Sequence, residues 1–198
     1  MSDDVGHRDV RESAQHQTGR SDQERLVTTR FELWSAHLAA QDAAEVGQPL
    51  PPHSRDCVGC GPENPAGLGL QVVRTVDGVE AVHRFTDQHV GAPGIAHGGA
   101  VALAFDDLFG FTLYTVGVLA VTRSITVDYE APFRLHQPYT FSARLVERAG
   151  RRLQLRAAAR ESSERLVGTA AATFVVVGAD HFVGGANNSG ATGLDGVL

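Results

Sequence analysis

Ser21 and Glu24 form an S-x-x-E capping pattern, and Val27, Phe31, Trp34 and Leu38 follow at helical spacing, which predicts an amphipathic helix over residues 21–45. Its apolar face is expected to cover part of the main domain. The GQPLPPH stretch at 47–53 cannot continue a helix and reads as a linker. From Leu68 the period changes to two: LGLQVVRT and VEAVHRF flank Asp77-Gly78, a strong hairpin dipeptide. Residues 98–116, GGAVALAFDDLFGFTLYTV, are apolar nearly all round, as expected of a helix buried on most sides. The next segment, 119–130, alternates. Leu119, Val121, Ile125, Val127 and Tyr129 fall on one face, and Thr122, Ser124, Thr126, Asp128 and Glu130 on the other. Tyr139 to Val146, Leu153 to Ala159 and Leu166 to Val177 read as three further strands, with Ala149-Gly150 as the turn between the first two.

A hairpin, one long buried helix and four strands joined by short turns predict an α+β domain with an antiparallel sheet and a helix on one face. About six strands wrapped around one central helix make the hotdog arrangement, here with an N-terminal helical extension. The polar, aperiodic residues 1–20 are expected to be a disordered tail, and the Gly-rich residues 178–198 a flexible one. Between them, 21–56 form the N-terminal helix and linker and 57–177 the hotdog domain.

The composition narrows the chemistry. Among 198 residues, 42% are hydrophobic, enough for one core, so one domain is expected. A net charge of −6 argues against nucleic acid or an anionic membrane surface as partner. All 17 basic residues are Arg, which excludes a Schiff-base Lys, a pyridoxal-phosphate Lys and a P-loop Lys. No stretch reads as a signal peptide or a membrane span, so a cytoplasmic protein is expected. Cys57 and Cys60, in CVGC, have the spacing of half a zinc knuckle. No second Cys pair or close His pair follows, so neither a metal nor a cofactor is expected.

Candidate chemistry concentrates around the predicted central helix. Gly98 and Gly99 stand at its N-terminus, where backbone N–H groups without intrahelical partners can bind an oxygen that gains negative charge. Asp106 and Asp107 interrupt an apolar helix, where a carboxylate needs a partner or a task. About 100° apart around the axis, they cannot both face one site. His97 precedes the glycines, and Thr122 lies on the polar face of its strand.

Together the HGG of 97–99, an Asp nine residues after the His, VTRSITVDYEAP and CVGCGPENPAGLGL resemble the PaaI-like hotdog acyl-CoA thioesterases over about Cys57 to Val177. The resemblance implies that Gly98 supplies an oxyanion-hole N–H and that Asp106 is the nucleophile or general base. It further implies that His97 supports the loop and Thr122 places the water or the Asp. The implied substrate is an acyl-CoA. Gly91 stands where one branch of relatives carries Asn, six residues before the His; Gln88 and His89 are the nearby polar substitutes. Gly99, Arg123, Arg151 and Arg152, with Arg134, are the candidates for holding substrate, the arginines through the CoA phosphates. Alternatives of the same fold are a hydratase or dehydratase and a non-catalytic acyl-CoA sensor. Gly98 and Asp106 lie about 12 Å apart along a helix axis, so one carbonyl cannot meet both. A homodimer or homotetramer with active sites shared between chains is expected.

Overall fold

The β-branched and aromatic positions from Val72 onward build the sheet of this computed structural model, which describes residues 44–178 and isolated positions outside that span. Residues 37–176 form one unit, and residues 1–36 with 177–198 another. Strand β1 (Val72–Arg74) and β2 (Val79–Arg84) make the expected hairpin. A short pair follows, β3 (Val90–Ala92) and β4 (Ile95–Ala96), then the central helix α1 (Gly98–Thr112). Four long strands complete the unit: β5 (Ala120–Tyr129), β6 (Pro138–Ala149), β7 (Arg152–Glu161) and β8 (Leu166–Val176).

The main sheet is antiparallel and six-stranded, in the order β1-β2-β6-β7-β8-β5. Alternation along β2, β6, β7 and β8 turns Val79, Ala81, Phe141, Leu155, Ala172 and Phe174 inward. These side chains meet Phe105, Leu108 and Phe109 of α1, each wholly buried. Phe105 stands edge-on to Phe141 at 5.1 Å between ring centroids, and Phe109 lies 6.2 Å from Phe174. Each buried Phe contributes about 1.5–3 kcal/mol, so the sheet and helix hold one another as a single core.

The helix ends four residues earlier than its apolar run, because Leu113–Thr115 tighten into a 3₁₀ turn and Gly117 takes φ +60. The predicted linker is partly ordered on the sheet. Leu50 donates its N–H to Val72 O at 2.8 Å, and Pro49 pairs with Val73, so residues 47–50 run along β1. Of the predicted helix over 21–45, the described positions Arg25, Thr28, Thr29, Glu32, Ser35 and Ala36 are helical, whereas Ala44 and Glu45 are not. The expected tail at 1–20 lies outside the described residues, as does that at 178–198 except for Gly178 and His181.

Candidate active site

The start of α1 is closed by its own preceding residue. His97 is the N-cap, with extended backbone, and its Nδ1 accepts the Gly99 N–H at 2.9 Å. The Gly99 amide is therefore engaged, and Gly98, first in the helix, carries an N–H with no intrahelical acceptor. The Gly98 carbonyl accepts a hydrogen bond from the Tyr129 hydroxyl at 2.7 Å. Ile95, Gly98, Val101, Tyr129, Glu130 and Phe133 line an open cleft of about 430 Å³ there.

Two turns further along, Asp106 is half-buried and accepts a hydrogen bond from the Thr122 hydroxyl at 2.9 Å. Burial pushes its carboxyl above the usual range, as does the neighbouring Asp107 charge, while the Thr122 bond opposes both. Strand β5 thus touches both stations of the helix, through Thr122 and Tyr129. These residues have opposite parity and would face opposite sides of a regular strand. The pairing of β5 with β8 shifts register between Thr122 and Ser124, leaving Arg123 as the extra residue of a β-bulge. That bulge returns both side chains to the helix side. Periodicity placed Tyr129 among the apolar positions; its phenol is half exposed, and its contact with Gly98 was not foreseen.

The expected substrate-binding arginines are scattered. Arg123 is exposed on β5, and β8 separates that strand from β7, where Arg152 is exposed. Arg151 donates from Nε to Val176 O at 2.8 Å, tying the β6–β7 turn to β8. The backbone N–H of Arg134 donates to the Tyr139 hydroxyl. Gly91 is a bulge residue between β3 and β4, and a Cβ there would stand 2.6 Å from His97 Cα. This backbone path leaves no room for an Asn side chain. His89 supports the same loop, accepting the His97 N–H on its carbonyl at 2.7 Å and the Thr86 N–H on Nδ1 at 3.0 Å.

Asp107 points elsewhere and is 8% exposed. Its Oδ1 lies 3.1 Å from His53 Nδ1 and 3.4 Å from Cys57 Sγ, and Cys60 Sγ is 3.3 Å from the same His53 nitrogen. The expectation that the cysteines stand as half a site is therefore corrected. Residues 53–60 fold against α1, so the further donors come from the supposed linker and from the helix, at separations that no local spacing rule covers. His53 also packs on Phe111 and Tyr114, at 4.3 and 5.7 Å between ring centroids. Within the cluster, the His53 hydrogen bond draws the Cys57 thiol below its ordinary pKa, and burial pushes that of Cys60 up.

A six-stranded antiparallel sheet wrapped around one long helix defines this unit as a hotdog fold. Residues 93–167 match the family model described as Thioesterase superfamily. No curated protein matches the chain. Among solved structures it is similar to a thioesterase superfamily protein with TM-score 0.60 and 20% identity, covering 87% of this chain and 81% of that one. A hypothetical thioesterase from Streptococcus pneumoniae, solved with coenzyme A, matches with TM-score 0.52 and 21% identity over 55% of this chain and 86% of its own. A variant of the phenylacetic acid degradation protein PaaI from Thermus thermophilus matches with TM-score 0.51 and 25% identity, over 56% of this chain and 95% of its own. Among the described residues, no helix is long and apolar enough to cross a membrane.

Proposed function

We propose that this domain hydrolyses an acyl-CoA thioester to a free acid and CoA, with Asp106 as nucleophile or general base. The observation that carries this reading is the Thr122 hydroxyl bonded at 2.9 Å to a half-buried carboxylate on the central helix. A carboxylate held in one orientation and raised in pKa by burial is suited to attack a carbonyl or to take a proton from water. The pneumococcal protein was also solved as an Asp-to-Ala and a Thr-to-Ala variant, at positions sixteen residues apart, the separation of Asp106 and Thr122.

The reaction needs a second station for the developing oxyanion, and the Gly98 N–H at the positive end of the helix is suited to that task. It lies about 12 Å from Asp106 along the axis. The site is therefore completed between two chains, the Gly98 amide of one meeting Asp106 of the other about a two-fold axis. Strand β5 supports this reading: it is a ten-residue edge strand, and a long unpaired edge invites a second copy. The CoA phosphates fall to Arg123, Arg151 and Arg152, and the protein works in the cytoplasm.

Thiol release across a panel of acyl-CoAs of varied chain length and aromaticity tests the reaction. Release from at least one is expected; binding without release across the panel would make the protein a sensor. Complementation tests the shared site. Gly98→Pro removes the N–H while keeping a residue favoured at the first helical position, and extended His97 tolerates a following Pro. Gly98→Pro and Asp106→Asn chains are each expected to be inactive and, coexpressed with random pairing, to regain about a quarter of wild-type activity. No regain would place the site within one chain.

A further inference from the structure

We propose that His53, Cys57, Cys60 and Asp107 bind one zinc ion in a closed, structural site. Their four donor atoms lie within 4.8 Å of one another. Zinc bonds of about 2.3 Å to sulfur and 2.0–2.1 Å to nitrogen and oxygen give tetrahedral edges of about 3.3 Å between N and O and 3.5 Å between S and either. The observed separations are 3.1 Å for His53 Nδ1 to Asp107 Oδ1, 3.3 Å for Nδ1 to Cys60 Sγ and 3.4 Å for Oδ1 to Cys57 Sγ. These three of the six edges are within a few tenths of an ångström of what an ion needs, and the remaining edges are within 4.8 Å, so an ion is accommodated by movements of about an ångström or less.

The loop is also built to hold thiolates. Gly61 donates its N–H to Cys57 O at 2.8 Å, closing a tight turn over the two cysteines. The His53 N–H bonds the Cys60 sulfur at 3.3 Å, and the backbone N–H groups of Gly59 and Cys60 favour the thiolate of Cys57. Such donors stabilise negative sulfur and orient metal ligands. Glycine is needed at both Gly59 and Gly61: a Cβ on the first would lie 2.2 Å from Asp107 Cγ, and one on the second 2.3 Å from Cys57 N. The turn therefore approaches the carboxylate as closely as a shared ion requires.

Two soft sulfurs with one imidazole and one carboxylate favour zinc over magnesium or calcium. Four protein ligands fill a tetrahedron, leaving no position for substrate, so the ion's task is to fasten residues 53–60 to α1 beside Asp106. Both thiol protons leave as the metal enters.

The test is metal content of the full chain, purified without chelator and measured by plasma mass spectrometry. About one zinc per chain is expected, released when a mercurial reagent titrates the two thiols. The cobalt-substituted protein should show the visible bands of tetrahedral cobalt with a thiolate charge-transfer band. Cys57→Ser and Cys60→Ser should each lose that band, whereas Asp106→Asn, one residue from a ligand, should keep full metal content. Should the cysteine variants not fold, the mercurial titration and cobalt spectrum of the wild-type protein decide alone. Wild-type chain without metal that gives only an octahedral cobalt spectrum would overturn the site, as would a Cys57–Cys60 disulfide found by intact mass.

Discussion

Asp106 and Asp107 are neighbours in sequence and occupy opposite chemical worlds. Asp106 meets a single hydroxyl on the side of α1 that faces edge strand β5. Asp107, one residue on, is buried against an imidazole and two sulfurs. A step of about 100° around a helix is enough to separate a carboxylate available for reaction from one committed to holding the fold. On the roles proposed for them, an acidic dipeptide in an apolar helix serves two tasks at once, each set by what the flanking elements bring to its side.

The comparison is tested most severely by neutralising each acid in turn. Asp106→Asn should lower the rate about 10²- to 10⁴-fold with little change in Tm. Asp107→Asn should destabilise the fold by about 3–5 kcal/mol, the cost of removing one partner from a buried pair, while the folded fraction keeps most of its rate. Steady-state kinetics with thermal unfolding on both variants checks this, and equal rate losses would erase the division of labour. Gly59→Ala sharpens the Asp107 side, because its methyl would collide with the carboxylate; a loss of about 1–3 kcal/mol in denaturant unfolding is expected, with the Asp106 pH profile unchanged.

The smallest effect is expected on the Asp106 side. Thr122→Val removes one hydrogen bond to the ionised acid, for about a tenfold loss of rate. The reaction needs the carboxylate form, so the rate falls as pH drops through the Asp106 pKa. Burial already raises that pKa, and the Thr122 bond is the larger of the two influences that lower it, ahead of the His53 charge. In the valine variant the acid limb should therefore move to higher pH. A limb that stays in place would mean that Thr122 does not touch the reacting acid.

How much of this was legible in the sequence depended on whether the signal was local. Strands β6, β7 and β8 follow their alternation to within three residues at each end, since along each one buried positions alternate with more exposed ones. Asp106 and Thr122 could be singled out from motif and resemblance, which left open whether Thr122 places the water or the Asp; its hydroxyl bonds Asp106 at 2.9 Å. The His53–Cys57–Cys60–Asp107 cluster was hidden because HSRDCVGC shows three of its members, and the fourth arrives only when the loop is laid on α1. Tyr129 was hidden for a different reason: a period of two presumes an unbroken strand, and the extra residue at Arg123 reverses the parity beyond it.

That bulge makes residue count, rather than residue identity, part of the site. The Arg123 side chain is exposed, so substitutions there should leave folding and the placing of Thr122 and Tyr129 intact, their one expected effect being weaker CoA binding. Deleting the same residue would let β5 pair with β8 without interruption, yet carry either Thr122 or Tyr129 to the far face. A substitution scan read by folding would mark this position as permissive, and a deletion scan would mark it among the least tolerant in the strand.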